Sequence, residues 1–224
     1  MGPHMGSFRQ YVASTHAFQN NFQRHMGPRL IRFNHLVMAY FIAIYTIASY
    51  ATDGIGLSQS QGGAIQSLLA AGQIIGRPLW GQALDKGGRI NMVIVSYIIC
   101  GIATFAIWFS ARSFGVLALY AIIQGMTGGT VVSTSTPIAA SVLGEENIGS
   151  ALSIYWLAMV VPSLVAQPLA ILLVDYSLHT LARKGTNAYT LSIILCGSFI
   201  FTGCIVLYGA KRHLQSNWKV FRKV

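Results

Sequence analysis

The run Ala188-Tyr189-Thr190-Leu191-Ser192-Ile193-Ile194-Leu195-Cys196-Gly197-Ser198-Phe199-Ile200-Phe201-Thr202-Gly203-Cys204-Ile205-Val206-Leu207-Tyr208-Gly209 contains no charged side chain. It has the roughly 20 predominantly apolar residues that a helix needs to cross the hydrocarbon core of a bilayer. Five further stretches of comparable character lie upstream, so that six run approximately over 34–52, 63–84, 90–110, 115–142, 150–174 and 188–209. Polar and glycine-rich punctuation separates them: Asp53-Gly54-Ile55-Gly56, Asp85-Lys86-Gly87-Gly88-Arg89, Ala111-Arg112-Ser113, Gly144-Glu145-Glu146-Asn147 and the run 175–187. None of these connections is long enough for a folded extramembrane domain.

Composition supports the same solvent. Hydrophobic residues make up 54% of the 224 and charged residues 9%, more apolar surface than a water-soluble core of this size could hide. The expected fold class is all-α: a polytopic membrane protein of six transmembrane helices. Its parts are a basic cytosolic segment over 1–33, the membrane domain over 34–210 and a basic cytosolic tail over 211–224. Cys100, Cys196 and Cys204 fall inside apolar segments and match neither a zinc site nor a disulfide framework, so they read as packing residues. The net charge of +10 does not imply nucleic acid, because the basic residues sit between and beyond the apolar segments.

Those residues set the orientation instead, since cytoplasmic segments carry the excess of Lys and Arg. With both termini inside, Arg9, Arg24, Arg29, Arg32, Lys86, Arg89, Lys211, Arg212, Lys219, Arg222 and Lys223 are cytoplasmic, against Arg112, Arg183 and Lys184 outside. The expected location is a multi-pass integral membrane protein, with the plasma membrane favoured over the vacuolar or mitochondrial membrane.

Arg77 is the basic residue left over, inside the second apolar stretch. A charge near the bilayer centre costs roughly 2.5 to 3.5 kcal/mol, which makes such a residue a functional candidate by default. It lies about seven residues from the cytoplasmic end of its stretch, on the order of 10 Å of rise, so snorkelling to the interface is strained. The acids Asp53, Asp85, Glu145, Glu146 and Asp175 all fall at helix ends and offer no obvious intramembrane counter-ion. Gln66, Gln73 and Arg77 recur at helical spacing with Ala70 and Gly81, and a polar stripe in lipid must face protein or water. Pro78 removes a backbone donor and Gly76 and Gly81 permit bending, so carbonyls near Arg77 can line a cavity as readily as they can mark an ordinary kink.

In the fourth stretch Gly125, Gly128, Gly129 and the run Ser133-Thr134-Ser135-Thr136-Pro137 are residues that let helices approach closely. In the fifth, Pro162 and Pro168 predict bends alongside that of Pro137, and Trp156 and Gln167 share one face, as a pocket lining or as helix packing. No nucleophile with a base, metal-ligand cluster or phosphate-cradling loop occurs, so no catalytic residue, metal or cofactor is expected and the chain does not read as an enzyme.

These residues also carry a resemblance. The loop Gly81-Gln82-Ala83-Leu84-Asp85-Lys86-Gly87-Gly88-Arg89 resembles the signature loop of the major facilitator superfamily. Gly56-Leu57-Ser58-Gln59-Ser60-Gln61-Gly62, Gly72-Gln73-Ile74-Ile75-Gly76-Arg77-Pro78, Gly88-Arg89-Ile90-Asn91-Met92 and Ala151-Leu152-Ser153-Ile154-Tyr155-Trp156-Leu157 are similar to the carboxy-terminal half of fungal monocarboxylate-transporter-like proteins, over about 34–210.

The resemblance implies one half of a twelve-helix secondary transporter, with substrate held between two six-helix halves that rock. It implies that Arg77 holds a substrate carboxylate and that Gly81, Asp85 and Arg89 form a gating loop; the polar stripe and the fifth stretch add Gln73, Gln66, Trp156 and Gln167 as candidate lining. Asp85 would meet a helix terminus of the opposite half. Proton-coupled members carry an aspartate where this chain has Gln73, which puts proton coupling through that position in doubt. The expected partners are the lipid bilayer, a small organic anion, and a second six-helix half or a second copy of the chain. The competing expectation is a transport-incompetent fragment, or a membrane interaction or regulatory subunit.

Overall fold

The computed structural model describes residues 27–130 and 148–221, and among them it is helical without strands. Helix α1 spans Gly27–Ser49 and relaxes into a π-helical turn over Tyr50–Ile55. Helix α2 spans Gln59–Gly87, and α3 spans Arg89–Ala103 with a π-helical continuation over Thr104–Trp108. Helix α4 covers Phe114–Gly128 and α5 Ile148–His179. A 3-10 turn over Gly185–Tyr189 leads into α6, Thr190–Phe221. Each expected apolar stretch corresponds to one helix.

The boundaries have local causes. Gly56 ends the first π turn at φ 85°, a conformation that a side chain would oppose, and its N–H reaches the Thr52 carbonyl at 3.1 Å. Ser58 then starts α2 through a reciprocal cap. The Gln61 N–H donates to Ser58 Oγ at 3.3 Å and the Ser58 N–H donates to Gln61 Oε1 at 3.0 Å. This cap moves the start of α2 four residues ahead of the expected 63, because hydrophobicity alone does not register a polar first turn. Helix α1 likewise begins before 34, and α6 continues past 210.

Four stretches, Asn34–Ile55, Asn91–Trp108, Tyr155–His179 and Gly185–Gly209, are long and apolar enough to cross a membrane on length and composition. Helix α2 is long enough at 29 residues but carries the glutamine–arginine stripe. The described part of α4 ends at Gly128, and its expected continuation to 142, with Pro137, lies outside the described residues, as does the cap 145–147. Pro78 sits within a continuous α2, and Pro162 and Pro168 within a continuous α5.

Helix α1 lies between α2 on one side and α5 on the other, with α6 also packed against it; α3 packs on α4 and α6. The closest pairing is α2 with α4, and glycines make it possible. A Cβ on Gly72 would stand 2.6 Å from the Ile122 carbonyl oxygen. One on Gly76 or Gly125 would run into the backbone of Met126 or Leu69. Gly76, expected to permit bending, is thus a contact surface, whereas Gly81 has open space where its side chain would be.

Several buried polar groups along the α3–α4 seam are paired, whereas the buried Trp108 indole nitrogen has no hydrogen-bond partner. Tyr97 donates to the Gly128 carbonyl at 2.9 Å, Cys100 to Gln124 Oε1 at 2.7 Å, and Ser96 and Thr130 share a bond of 2.9 Å. The three cysteines are free and buried, as packing residues would be.

At one end of the bundle, Trp108 stacks on Tyr120 at 4.9 Å while Tyr50 meets Trp108 and Tyr189 edge-on. The Tyr50 hydroxyl donates to the Ala111 carbonyl at 2.6 Å, clipping the end of α1 to the α3–α4 connection. Trp108 is fully buried here. Trp108→Ala is therefore expected to lower stability by about 3–5 kcal/mol, read as a drop in the thermal unfolding midpoint of the purified protein in detergent.

Elsewhere large apolar side chains are uncovered, among them Ile74 and Leu79 on α2 and Leu157, Val161, Leu164 and Leu172 on α5. Surfaces of this kind suit lipid or apposed protein rather than water. The molecule is an integral membrane protein.

Candidate functional site

Helix α2 places Gln73 and Arg77 one turn apart on the same face, and the Arg77 Nη2 donates to Gln73 Oε1 at 3.1 Å. Arg77 thereby reaches back toward the start of its helix, the direction in which helical side chains tilt. Helix α2 continues to Gly87, ten residues beyond Arg77, or roughly 15 Å of rise. The guanidinium turns away from that end. It does not reach along the helix toward Gly87.

Two other helices complete its surroundings. From α1 the Tyr40 hydroxyl lies against both the Arg77 guanidinium and the Gln73 amide. From α4 the double glycine Gly128-Gly129 forms a floor. A Cβ on Gly129 would lie 3.6 Å from Arg77 Nε, and one on Gly128 would lie 3.0 Å from the Tyr40 ring. Gly128 makes room for the tyrosine ring, whereas Gly129 adjoins Arg77 at an ordinary contact distance.

No carboxylate pairs with Arg77 among the described residues; the ion pair present there is His179 with Asp175 at 3.3 Å. Arg77 is exposed on the open side of the bundle, with one nitrogen engaged by Gln73 and a planar fork of donors. A guanidinium in a low-dielectric setting without a counter-ion favours an anionic ligand, and its geometry matches a carboxylate. Pro78 has no N–H to give the Ile74 carbonyl, which leaves one acceptor beside the site.

The other predicted residues are distributed. Gln66 lies two turns before Gln73, and its Oε1 is buried without a hydrogen-bond partner. Gln167 lines an open depression of about 540 Å³ between α1 and α5 with Tyr45, Ser163, Leu164, Pro168, Ile171 and Leu172. Trp156 is exposed on α5, edge-to-face with Tyr155 at 5.8 Å, and is not part of that lining. Asp85 is exposed near the end of α2 without an ion pair among the described residues; the Arg89 side chain lies outside them.

Tyr40 is the member that sequence reasoning missed. A tyrosine in an apolar helix gives no periodic signal, and only the packing of α1 on α2 shows where its hydroxyl ends. Gln124, the partner of Cys100, was missed for the same reason.

Comparison with known proteins agrees with this architecture. The chain is 29% identical over 192 residues to the uncharacterized transporter ESBP6 of Saccharomyces cerevisiae, covering 84% of this chain and 27% of that protein. It is 20% identical over 159 residues to the probable transporter MCH2 of the same yeast, covering 71% and 32%. It is also 26% identical over 150 residues to a fujikurins efflux protein of Gibberella fujikuroi, covering 67% and 32%. The chain thus spans a third or less of the length of these relatives. The family model described as Major Facilitator Superfamily matches residues 34–222, which takes in α2 to α6 and most of α1. With an all-helical membrane bundle and a family match along most of its length, the chain belongs to the major facilitator superfamily.

Proposed function

We propose that the chain is the carboxy-terminal half of a secondary transporter, forming one wall of a path for a small organic anion across the membrane. The carrying observation is Arg77, a guanidinium within a helix of the bundle, aimed away from the nearer helix end, hydrogen-bonded to Gln73 and beside Tyr40, without a carboxylate partner among the described residues. In this reading Arg77 binds the substrate carboxylate, while Gln66 and Gln167 supply polar lining and Trp156 an apolar face. Gly81, Asp85 and Arg89 form the gating loop, Asp85 meeting a helix terminus of the opposing wall. Both termini face the cytoplasm of the plasma membrane, following the distribution of Lys and Arg.

The test is a pair of ligands that differ in charge alone. Purified full chain in lipid nanodiscs is titrated calorimetrically with 4-phenylbutyrate and with its neutral amide. The carboxylate is expected to bind and the amide is not; equal binding of the two overturns the reading.

Gln73 provides a second test. Gln73→Asp sets a carboxylate one turn from the guanidinium, where it competes with a bound anion. Binding of 4-phenylbutyrate is expected to fall about tenfold at neutral pH, because the ionised aspartate competes with the ligand for the guanidinium. Binding unchanged from wild type in parallel titrations at neutral pH would count against Arg77 and Gln73 sharing the anion site.

A second reading rests on the share of the relatives' length that the chain spans, 27% to 32%. In it the chain is a transport-incompetent piece or a membrane interaction subunit. Vesicles containing the chain alone would then bind the anion without accumulating it, whereas a pair of copies acting as two halves would accumulate it.

A further inference from the structure

Helix α1 carries an uncovered stripe that begins beside Arg77 and ends at the α1–α5 depression. Phe41, Ile44, Tyr45 and Ala48 follow one another at helical spacing and are each at least partly exposed, between α2 and α5. Aromatic rings bridge the distance. Tyr40, against Arg77, meets Phe41 edge-on at 5.4 Å, and Phe41 stacks on Tyr45 at 5.7 Å with planes 21° apart. Tyr45 is 38% exposed and forms part of the depression together with Gln167, Leu164, Ile171 and Leu172. Five residues of helix separate Tyr40 from Tyr45, roughly 8 Å along the axis.

The two ends of this track differ in chemistry. At the Arg77 end there is a fixed positive charge. At the other end the walls are apolar, with the amide of Gln167 as a donor and acceptor. There Pro168 leaves the Leu164 carbonyl without its helical donor. The depression is open and shallow, an apolar surface with a few hydrogen-bonding groups on which an elongated ligand can lie.

We infer that the anion this protein takes is an amphipathic carboxylate. Its head is held by Arg77, its aromatic or apolar body lies on Phe41 and Tyr45, and a polar group at its far end rests at Gln167. A short acid such as pyruvate would occupy only the Arg77 end and leave the aromatic track and the hollow unfilled. This inference rests on the reading of Arg77 as the anion's anchor and adds the length and chemistry of what the anchor holds.

The test uses full chain in lipid nanodiscs and two probes, pyruvate and 4-(4-hydroxyphenyl)butyrate, titrated calorimetrically against wild type, Tyr45→Ala, Gln167→Leu and Arg77→Gln. Tyr45 and Gln167 are both exposed, so their replacement removes no core packing. The long acid is expected to bind wild type about tenfold or more tightly than pyruvate. Tyr45→Ala and Gln167→Leu are each expected to erase most of that difference by weakening the long acid. Arg77→Gln should weaken both probes. If both acids bind wild type equally, or if neither Tyr45→Ala nor Gln167→Leu affects the long acid, the two-ended site is overturned while dependence on Arg77 preserves the anion reading. If Arg77→Gln changes neither probe, or if neither binds wild type, the anchor fails and the two-ended site fails with it.

Discussion

Arg77→Gln is expected to weaken carboxylate binding by about 100-fold, corresponding to about 3 kcal/mol, while leaving the protein folded. The size follows from the environment. In water an arginine–carboxylate contact contributes little, because solvent screens it and competes for the same donors. Within a membrane protein the effective dielectric falls, and a bidentate pair gains in strength accordingly. Glutamine keeps a hydrogen-bonding group but loses the charge and the fork.

Arg77→Lys separates those two contributions. It keeps the charge on a point donor without planar geometry, so an intermediate loss of about tenfold is expected. Folding should survive both changes, since Arg77 is exposed and its hydrogen bond is to a neighbour on the same helix. Calorimetric titration with 4-phenylbutyrate gives the affinities, and size-exclusion chromatography in detergent checks the fold. An Arg77→Gln affinity within twofold of wild type, taken as about 0.4 kcal/mol, would remove Arg77 from the site.

Gly125→Ala is the second large effect, and it acts on the fold. The new Cβ would press on the Leu69 carbonyl oxygen, which is backbone and cannot rotate aside. Helices α2 and α4 must then move apart along the closest pairing in the molecule. Overpacking of this kind costs about 1–3 kcal/mol where neighbours can adjust, and a backbone contact places it at or above the upper end. Gly72→Ala is expected to behave alike, with the Ile122 carbonyl oxygen only 2.6 Å from the added carbon. The thermal midpoint in detergent measures the loss.

Gly63→Ala and Gly81→Ala are the matched controls, because nothing lies within 4 Å of either position. Both lie inside α2, where alanine is the better helix former by about 0.8–1 kcal/mol, so their midpoints should hold or rise. Gly125→Ala also displaces α2 beneath Gln73, whose backbone nitrogen lies 3.1 Å from the added carbon, so anion binding should fall together with stability.

The number and type of elements were legible from the chain alone. Six apolar runs imply six helices, because lipid leaves backbone groups no other partner, and among the described residues each run coincides with a helix, the fourth as far as Gly128. Helix ends were less legible. The polar first turn of α2 is set by the Ser58–Gln61 cap rather than by hydrophobicity. The glycines of α4 could be read as contact residues, but not their separate duties. Gly125 abuts α2, while Gly128 and Gly129 underlie Tyr40 and Arg77.

Arg77 stood out in sequence because a charge in an apolar run is costly wherever the run ends up, and that cost is a property of the residue and its neighbours along the chain. The pairing with Gln73 is equally local, since helical geometry places residues four apart on one face. Tyr40, the glycine floor and the aromatic track to Gln167 are different, because they depend on which helix lies beside which. From Leu36 to Ala48 helix α1 carries only apolar side chains, two tyrosines and one threonine, so its own periodicity does not say which side meets α2 and which meets α5. Only the packing of α1 between them turns a lone arginine into a site with a floor, a flank and a direction.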